Sequence, residues 1–129
     1  MLPLCRGEGI GVIPWSPLAR GFVMGRARTE GSESARARTD QYAHGLYYQE
    51  ADYKVVDAVT TVAKKHAVSN AQVALAWVLA QPGITAPIIG ASKMQHLDEA
   101  VKALDLKLDE ADHKALAEAY VPHAVLGHS

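Results

Sequence analysis

Cysteine is almost missing from this chain: Cys5 is the single one among 129 residues. One thiol excludes an intramolecular disulfide and cannot assemble a thiolate metal site. Excess charge is lacking too, since 13 Lys and Arg stand against 14 Asp and Glu. That near balance excludes a general nucleic-acid binder and a binder of anionic membranes, both of which need a positive field. No apolar run reaches bilayer-spanning length, and no basic head with an apolar block marks a signal segment. The six histidines, His44, His66, His96, His113, His123 and His128, show no metal-ligand spacing. Ser16 and Ser92 lack a histidine-and-acid context for nucleophilic work. No repeat of solenoid period occurs.

What is present is the composition of a globular α/β domain, 49% hydrophobic and 21% charged, and long enough to bury a core. A lone cysteine and the absence of a targeting segment point to a cytoplasmic protein.

Met1 to Arg6 reads as the tail of a helix, stopped by Gly7 and Gly9. Gly9 to Trp15 reads as a short strand, apolar on both faces as buried parallel strands are. From Ser16 to about Glu50 no period is sustained, and five of the six arginines (Arg20, Arg26, Arg28, Arg36, Arg38) fall there among glycines and serines. A segment of that kind is either a solvated loop or one that folds over an anionic ligand. Helical periodicity begins near Ala51, with Tyr53, Val56, Val59 and Ala63 on one face. Ser69 and Gln72 have capping-box spacing and open a helix, Ala71 to Ala80, that is apolar nearly all round. Ala86 to Ile89 is a second strand. Leu97, Ala100, Val101 and Leu104 then define a helix face, and Asp109 starts a last helix with Leu116 and Ala119 inward. The order is a βα repeat with right-handed crossovers. Two strands do not make a stable parallel sheet, so the chain reads as a segment of a larger α/β unit.

Two stretches carry chemistry. In Gly90-Ala91-Ser92-Lys93 a glycine, a hydroxyl and a positive charge follow a strand and precede a helix, the arrangement that holds a phosphate. Ser92 and Gln95 also have capping-box spacing, so a helix start explains the same residues. Trp15-Ser16-Pro17-Leu18-Ala19-Arg20-Gly21 follows the other strand, at the carboxyl end where α/β folds bind ligands. Trp15 there is either a platform for a flat ring or a core aromatic.

Together Trp15 to Gly21, Ser69 to Trp77 and Ile88 to Lys93, in this order and at these distances, resemble the aldo/keto reductase family. The match runs from Met1 to about Leu106, on the branch that includes the potassium-channel β-subunit type. The resemblance implies a (β/α)8 TIM barrel, of which this chain is the C-terminal segment: strands seven and eight, their helices, a long cofactor-side loop over 16–50, and a C-terminal helix and tail over 107–129. It implies NADP(H) as cofactor. Trp15 matches the aromatic stacked on nicotinamide, and Ser16, Leu18 and Arg20 match positions along the pyrophosphate. Gly90, Ser92 and Lys93 match the turn around the adenosine 2′-phosphate, and Glu99 matches an acid near the adenine. His96 stands where glutamine is usual and Ala100 where asparagine is.

The family's catalytic Asp, Tyr, Lys and His come from earlier strands, and Tyr42, Tyr47, Tyr48, Tyr53 and Tyr120 lie in no matching context. Since such a barrel takes about 250 residues, the expectation is the last part of an NADPH-dependent carbonyl reductase, a reading frame truncated at an internal methionine and inactive without its barrel. The alternatives are a non-catalytic NADP(H)-binding module and an interaction protein that self-associates through exposed strand edges.

Overall fold

The structure, a computed structural model, describes residues 1–25 and 49–122. Arg26, Arg28, Arg36, Arg38, Tyr42, His44, Tyr47, Tyr48, His123 and His128 lie outside the described residues. Among the described residues five helices run in chain order: α1 (Leu2–Gly7), α2 (Glu50–His66), α3 (Asn70–Leu79), α4 (Met94–Lys102) and α5 (Glu110–Glu118), with a 3₁₀ helix at Ala19–Met24. None is long and apolar enough to cross a membrane.

Capping explains where three of them begin. Ser69 accepts from the Gln72 N–H while the Gln72 side chain accepts from the Ser69 N–H, the predicted box. Asp109 and Asp112 form the same reciprocal pair on α5. Gln49 and Asp52 do so on α2, which starts at Glu50, beside the Ala51 where the apolar periodicity begins. Ala67 stops α2 in the left-handed region at φ 53°.

The helices bury their apolar faces in one another. Val23, Val59, Val62, Ala63, Val73, Ala74 and Leu116 form the core, with Val73 fully covered. α2 turns Val56, Val59 and Ala63 inward and leaves Lys54, Asp57, Lys64 and Lys65 exposed, as its period predicts. α3 buries Ala71 and every residue from Val73 to Ala76, as a helix apolar all round must. The 3₁₀ helix is tied down by Phe22, whose ring meets Tyr53 edge-on at 5.2 Å, and by Asn70, which donates to the Val23 carbonyl at 2.9 Å.

Two expectations are corrected. The stretches read as strands meet only in two isolated parallel bridges, Val12 to Ile84 and Trp15 to Ile88, and form no continuous ladder. Pro14 and Pro87 lack the N–H a ladder needs, and the register slips, with three steps from Val12 to Trp15 against four from Ile84 to Ile88. Nor are these stretches covered on both faces, for Ile13, Trp15 and Ile88 are each more than half exposed. The face expected to pack on α4 is the second correction. Leu97, Val101 and Leu104 point outward, while Ala100 is half-buried and Ala103, just past the helix end, is the residue that is buried.

Candidate functional site

The bridge from Trp15 to Ile88 sets the two motif-bearing stretches side by side. Ile88 donates its N–H to the Pro14 carbonyl at 2.8 Å, and the segments run parallel. Their carboxyl ends therefore lie together, with Trp15 opening one loop and Gly90 the other. Before that point, Thr85 N–H donates to the Val12 carbonyl at 2.8 Å and the Thr85 hydroxyl accepts from Val12 N–H at 3.1 Å. A Cβ on Gly11 would stand 2.9 Å from that hydroxyl, so glycine is what permits the contact.

Trp15 is 59% exposed and is not a core aromatic here. After it the backbone enters the left-handed region at Ser16 (φ 52°), Ala19 (φ 47°) and Arg20 (φ 55°). Each such non-glycine residue costs roughly 1 kcal/mol or more. The loop is held in this shape from below: Leu18 packs on the core, Phe22 and Val23 are buried, and Ala19 N–H closes on the Ser16 carbonyl at 2.9 Å. Strain of this sort persists where neighbours over-determine it, commonly at ligand clamps. Ser16 and Arg20 are half-buried at its two ends.

The second loop is open. Gly90, Ser92, Lys93 and His96 are all exposed, and a Cβ on Gly90 would meet nothing within 4 Å. Gly90 thus answers no internal clash or positive φ, and the space beside it is free for a ligand. The capping box expected from Ser92 and Gln95 does not form: Lys93 is the N-cap of α4 and no side chain caps it. The first turn of α4 keeps its positive dipole end without a side-chain acceptor. Gln95 turns instead to Glu99, donating to Oε1 at 3.0 Å, while Ser69 Oγ lies 3.3 Å from Glu99 Oε2. Glu99 is thereby half-buried against α3 rather than beside Lys93 in the open.

The most perturbed carboxylate lies elsewhere. Burial pushes the Asp112 carboxyl upward, but hydrogen bonds from Lys65, from His66 and from the Asp109 N–H outweigh it and hold the group down to about 2. Lys65 Nζ reaches Asp112 at 2.8 Å and Asp109 at 2.6 Å. The pairing with Asp109 raises Lys65 above its ordinary value and lowers Asp109. The cluster joins the carboxyl end of α2 to the amino end of α5, where the charges also suit both helix dipoles. Its shifted acidity reflects a lock between helices. Sequence reading passed over it because Lys65, His66, Asp109 and Asp112 meet only after folding. Among the described residues no group of three His, Cys, Asp or Glu could hold a metal ion.

Compared with known proteins, residues 1–121 match the aldo/keto reductase family. The chain belongs to that family. This aldo/keto reductase chain is 40% identical over 127 residues to a Schizosaccharomyces pombe protein assigned as an aryl-alcohol dehydrogenase, covering 98% of this chain and 35% of that one. It is 39% identical over 129 residues to the versiconal hemiacetal acetate reductase of Aspergillus parasiticus, covering 97% and 36%. A crystal structure of a thermostable aldo-keto reductase with the inhibitor epalrestat superposes with a TM-score of 0.62 at 27% identity, over 92% of this chain and 32% of that one. The chain thus spans about a third of the length of the relatives it matches. Members of the family generally use a nicotinamide dinucleotide and act on carbonyl substrates.

Proposed function

We propose that this chain is the C-terminal part of an NADPH-dependent aldo/keto reductase barrel, contributing strands seven and eight and one side of the NADP(H) site. In this reading Trp15 stacks on the nicotinamide, and Ser16, Leu18 and Arg20 follow the pyrophosphate. Gly90, Ser92 and Lys93 surround the adenosine 2′-phosphate, and His96 and Glu99 lie toward the adenine. The observation that carries the reading is the parallel bridge from Trp15 to Ile88, which makes the aromatic loop and the phosphate turn neighbours. An exposed ring, free space beside Gly90 and an exposed lysine at an uncapped helix start all fit a flat ring and an anion. The nicotinamide supplies the hydride in a complete barrel. What these residues supply is position and charge, and the proton donor belongs to the tetrad that sequence reading does not find here. In this reading the chain without a barrel binds NADP(H) and does not reduce carbonyl compounds, and the reading sets it in the cytoplasm.

Titration with NADPH while following tryptophan emission tests this. Trp77 is half-buried, so a Trp15→Phe variant serves as the blank. Quenching that disappears in the variant is the expected result. No quenching at millimolar cofactor, or NADPH oxidation with an aromatic aldehyde at ordinary enzyme rates, contradicts it. A second reading, self-association, is favoured by the exposure of Ile10, Ile13, Trp15 and Ile88 along the two bridged stretches.

A further inference from the structure

The loop from Trp15 to Gly25 is fixed at both ends. At its start the Ile88 N–H donates to the Pro14 carbonyl at 2.8 Å, beside the Trp15 bridge. At its end the Asn70 side chain, in the first turn of α3, donates to the Val23 carbonyl at 2.9 Å. Between them Ser16, Ala19, Arg20 and Gly21 all hold positive φ. The bonds from Ala19 N–H to the Ser16 carbonyl and from Gly21 N–H to the Leu18 carbonyl close turns within the loop and do not orient it on α2 and α3. Phe22 and Val23 are buried beneath it, but apolar packing is non-directional, whereas a hydrogen bond to a carbonyl orients the backbone that carries it.

The Asn70 amide is committed in one sense. A carbonyl only accepts, so the atom facing Val23 is the nitrogen. Its second proton goes to Thr60 Oγ1 at 2.9 Å, and the Thr60 hydroxyl gives its own proton to the Val56 carbonyl at 2.8 Å. Both amide protons are thus spent on the loop and on α2, and neither is left for a ligand. Gly25, at φ 74°, passes directly over this network: a Cβ there would stand 3.4 Å from Val56 Cγ1 and 3.8 Å from Asn70 Nδ2.

We infer that Asn70 is a positioning residue: through the Val23 carbonyl it holds the Trp15 to Gly21 loop in its left-handed shape, and so sets affinity for the pyrophosphate and nicotinamide half of the dinucleotide. The ligand half of this inference rests on the nucleotide reading above; the anchor itself does not.

Three substitutions test it. Asn70→Asp replaces the donor with a carboxylate that repels the Val23 carbonyl, yet an acid in the first turn suits α3. Asn70→Ala removes the donor without adding charge, and serves if the acid unfolds the chain. Thr60→Val takes away the other acceptor and leaves the bond to Val23. In the 129-residue chain, amide hydrogen exchange over 19–25 should speed about tenfold in either Asn70 variant and stay near wild type in Thr60→Val. NADPH affinity, measured by calorimetry, should fall about tenfold in the Asn70 variants. Adenosine 2′-monophosphate, which lacks both the pyrophosphate and the nicotinamide, should bind them as it binds wild type. Thr60→Val should lower the urea midpoint and keep both affinities. Equal exchange in the Asn70 and Thr60 variants overturns the anchor. Parallel losses of NADPH and adenosine 2′-monophosphate, or unaltered NADPH affinity with faster exchange, overturn the positioning role. If the wild type binds neither nucleotide, the nucleotide reading fails, and exchange still decides the anchor.

Discussion

His66 Nε2 lies 2.6 Å from Asp112 Oδ2, joining the last residue of α2 to the third residue of α5. Asp112 is 3% exposed and serves three partners at once, since Lys65 and the Asp109 N–H donate to it as well. Removing its charge leaves those donors facing a weaker acceptor. Asp112→Asn should cost about 1–3 kcal/mol of stability, read as a lower urea midpoint at neutral pH. An unchanged midpoint would mean that α5 does not depend on this lock.

The same carboxylate sets a pH dependence. Its folded pKa, about 2, lies below the ordinary carboxylate value, so the folded state favours the charged form. The stabilisation is fully present above the unfolded pKa near 4 and is lost as pH falls toward 2, amounting to on the order of 2 kcal/mol. Denaturation of wild type and Asp112→Asn should therefore differ at about pH 6 and converge near pH 2. A gap independent of pH would point to packing rather than charge.

Gly11 and Thr85 should be coupled. An added Cβ at Gly11 crowds the Thr85 hydroxyl that accepts from Val12 N–H. Gly11→Ala should destabilise by about 1 kcal/mol with Thr85 present and be neutral or mildly stabilising in Thr85→Ala, where the bond is already gone. A double-mutant cycle on thermal stability measures this. A coupling energy near zero would show that the two strand segments are not held by that contact.

Lys93→Ala should weaken NADP+ roughly tenfold, the loss of one charge-assisted contact, and leave NAD+ nearly unchanged, since only the former carries the extra phosphate. Calorimetry on both nucleotides decides it. Equal losses would remove Lys93 from the 2′-phosphate.

Self-association should show in sedimentation velocity as a rise in mass with concentration. Ile13→Lys, which places a charge on a side chain already 60% exposed, should restore the monomer without lowering stability. A monomer at all concentrations excludes this reading.

The helices were the legible part of the sequence. The capping pair at Ser69, the helix start at Asp109 and the period of α2 are local signals, and folding left them intact. The strands and the inner face of α4 were not legible in the same way, because each depends on what lies alongside. An apolar stripe predicts burial only where something covers it, and the Leu97 and Val101 side of α4 stays open. For the site, the sequence put the Trp15 and Gly90 stretches at the ends of two strands, and in the structure Trp15 pairs with Ile88, two residues before Gly90. It did not reveal that Ser92 leaves the cap to Lys93, or that Glu99 faces Ser69, since both follow from how α4 is turned.

The Thr85 hydroxyl has one more consequence, for folding fidelity. Because a side chain rather than a carbonyl receives the Val12 N–H, the pairing is specified by residue type as well as by backbone. A slip of one residue would put Ile84 or Ala86 where Thr85 meets the Val12 N–H, and a slip of two would put Gly83 or Pro87 there. None of these carries a hydroxyl. Misaligned pairings therefore forfeit a bond that the native one keeps, so two short stretches with prolines in both can still find a single alignment, and with it the juxtaposition of Trp15 and the Gly90 turn.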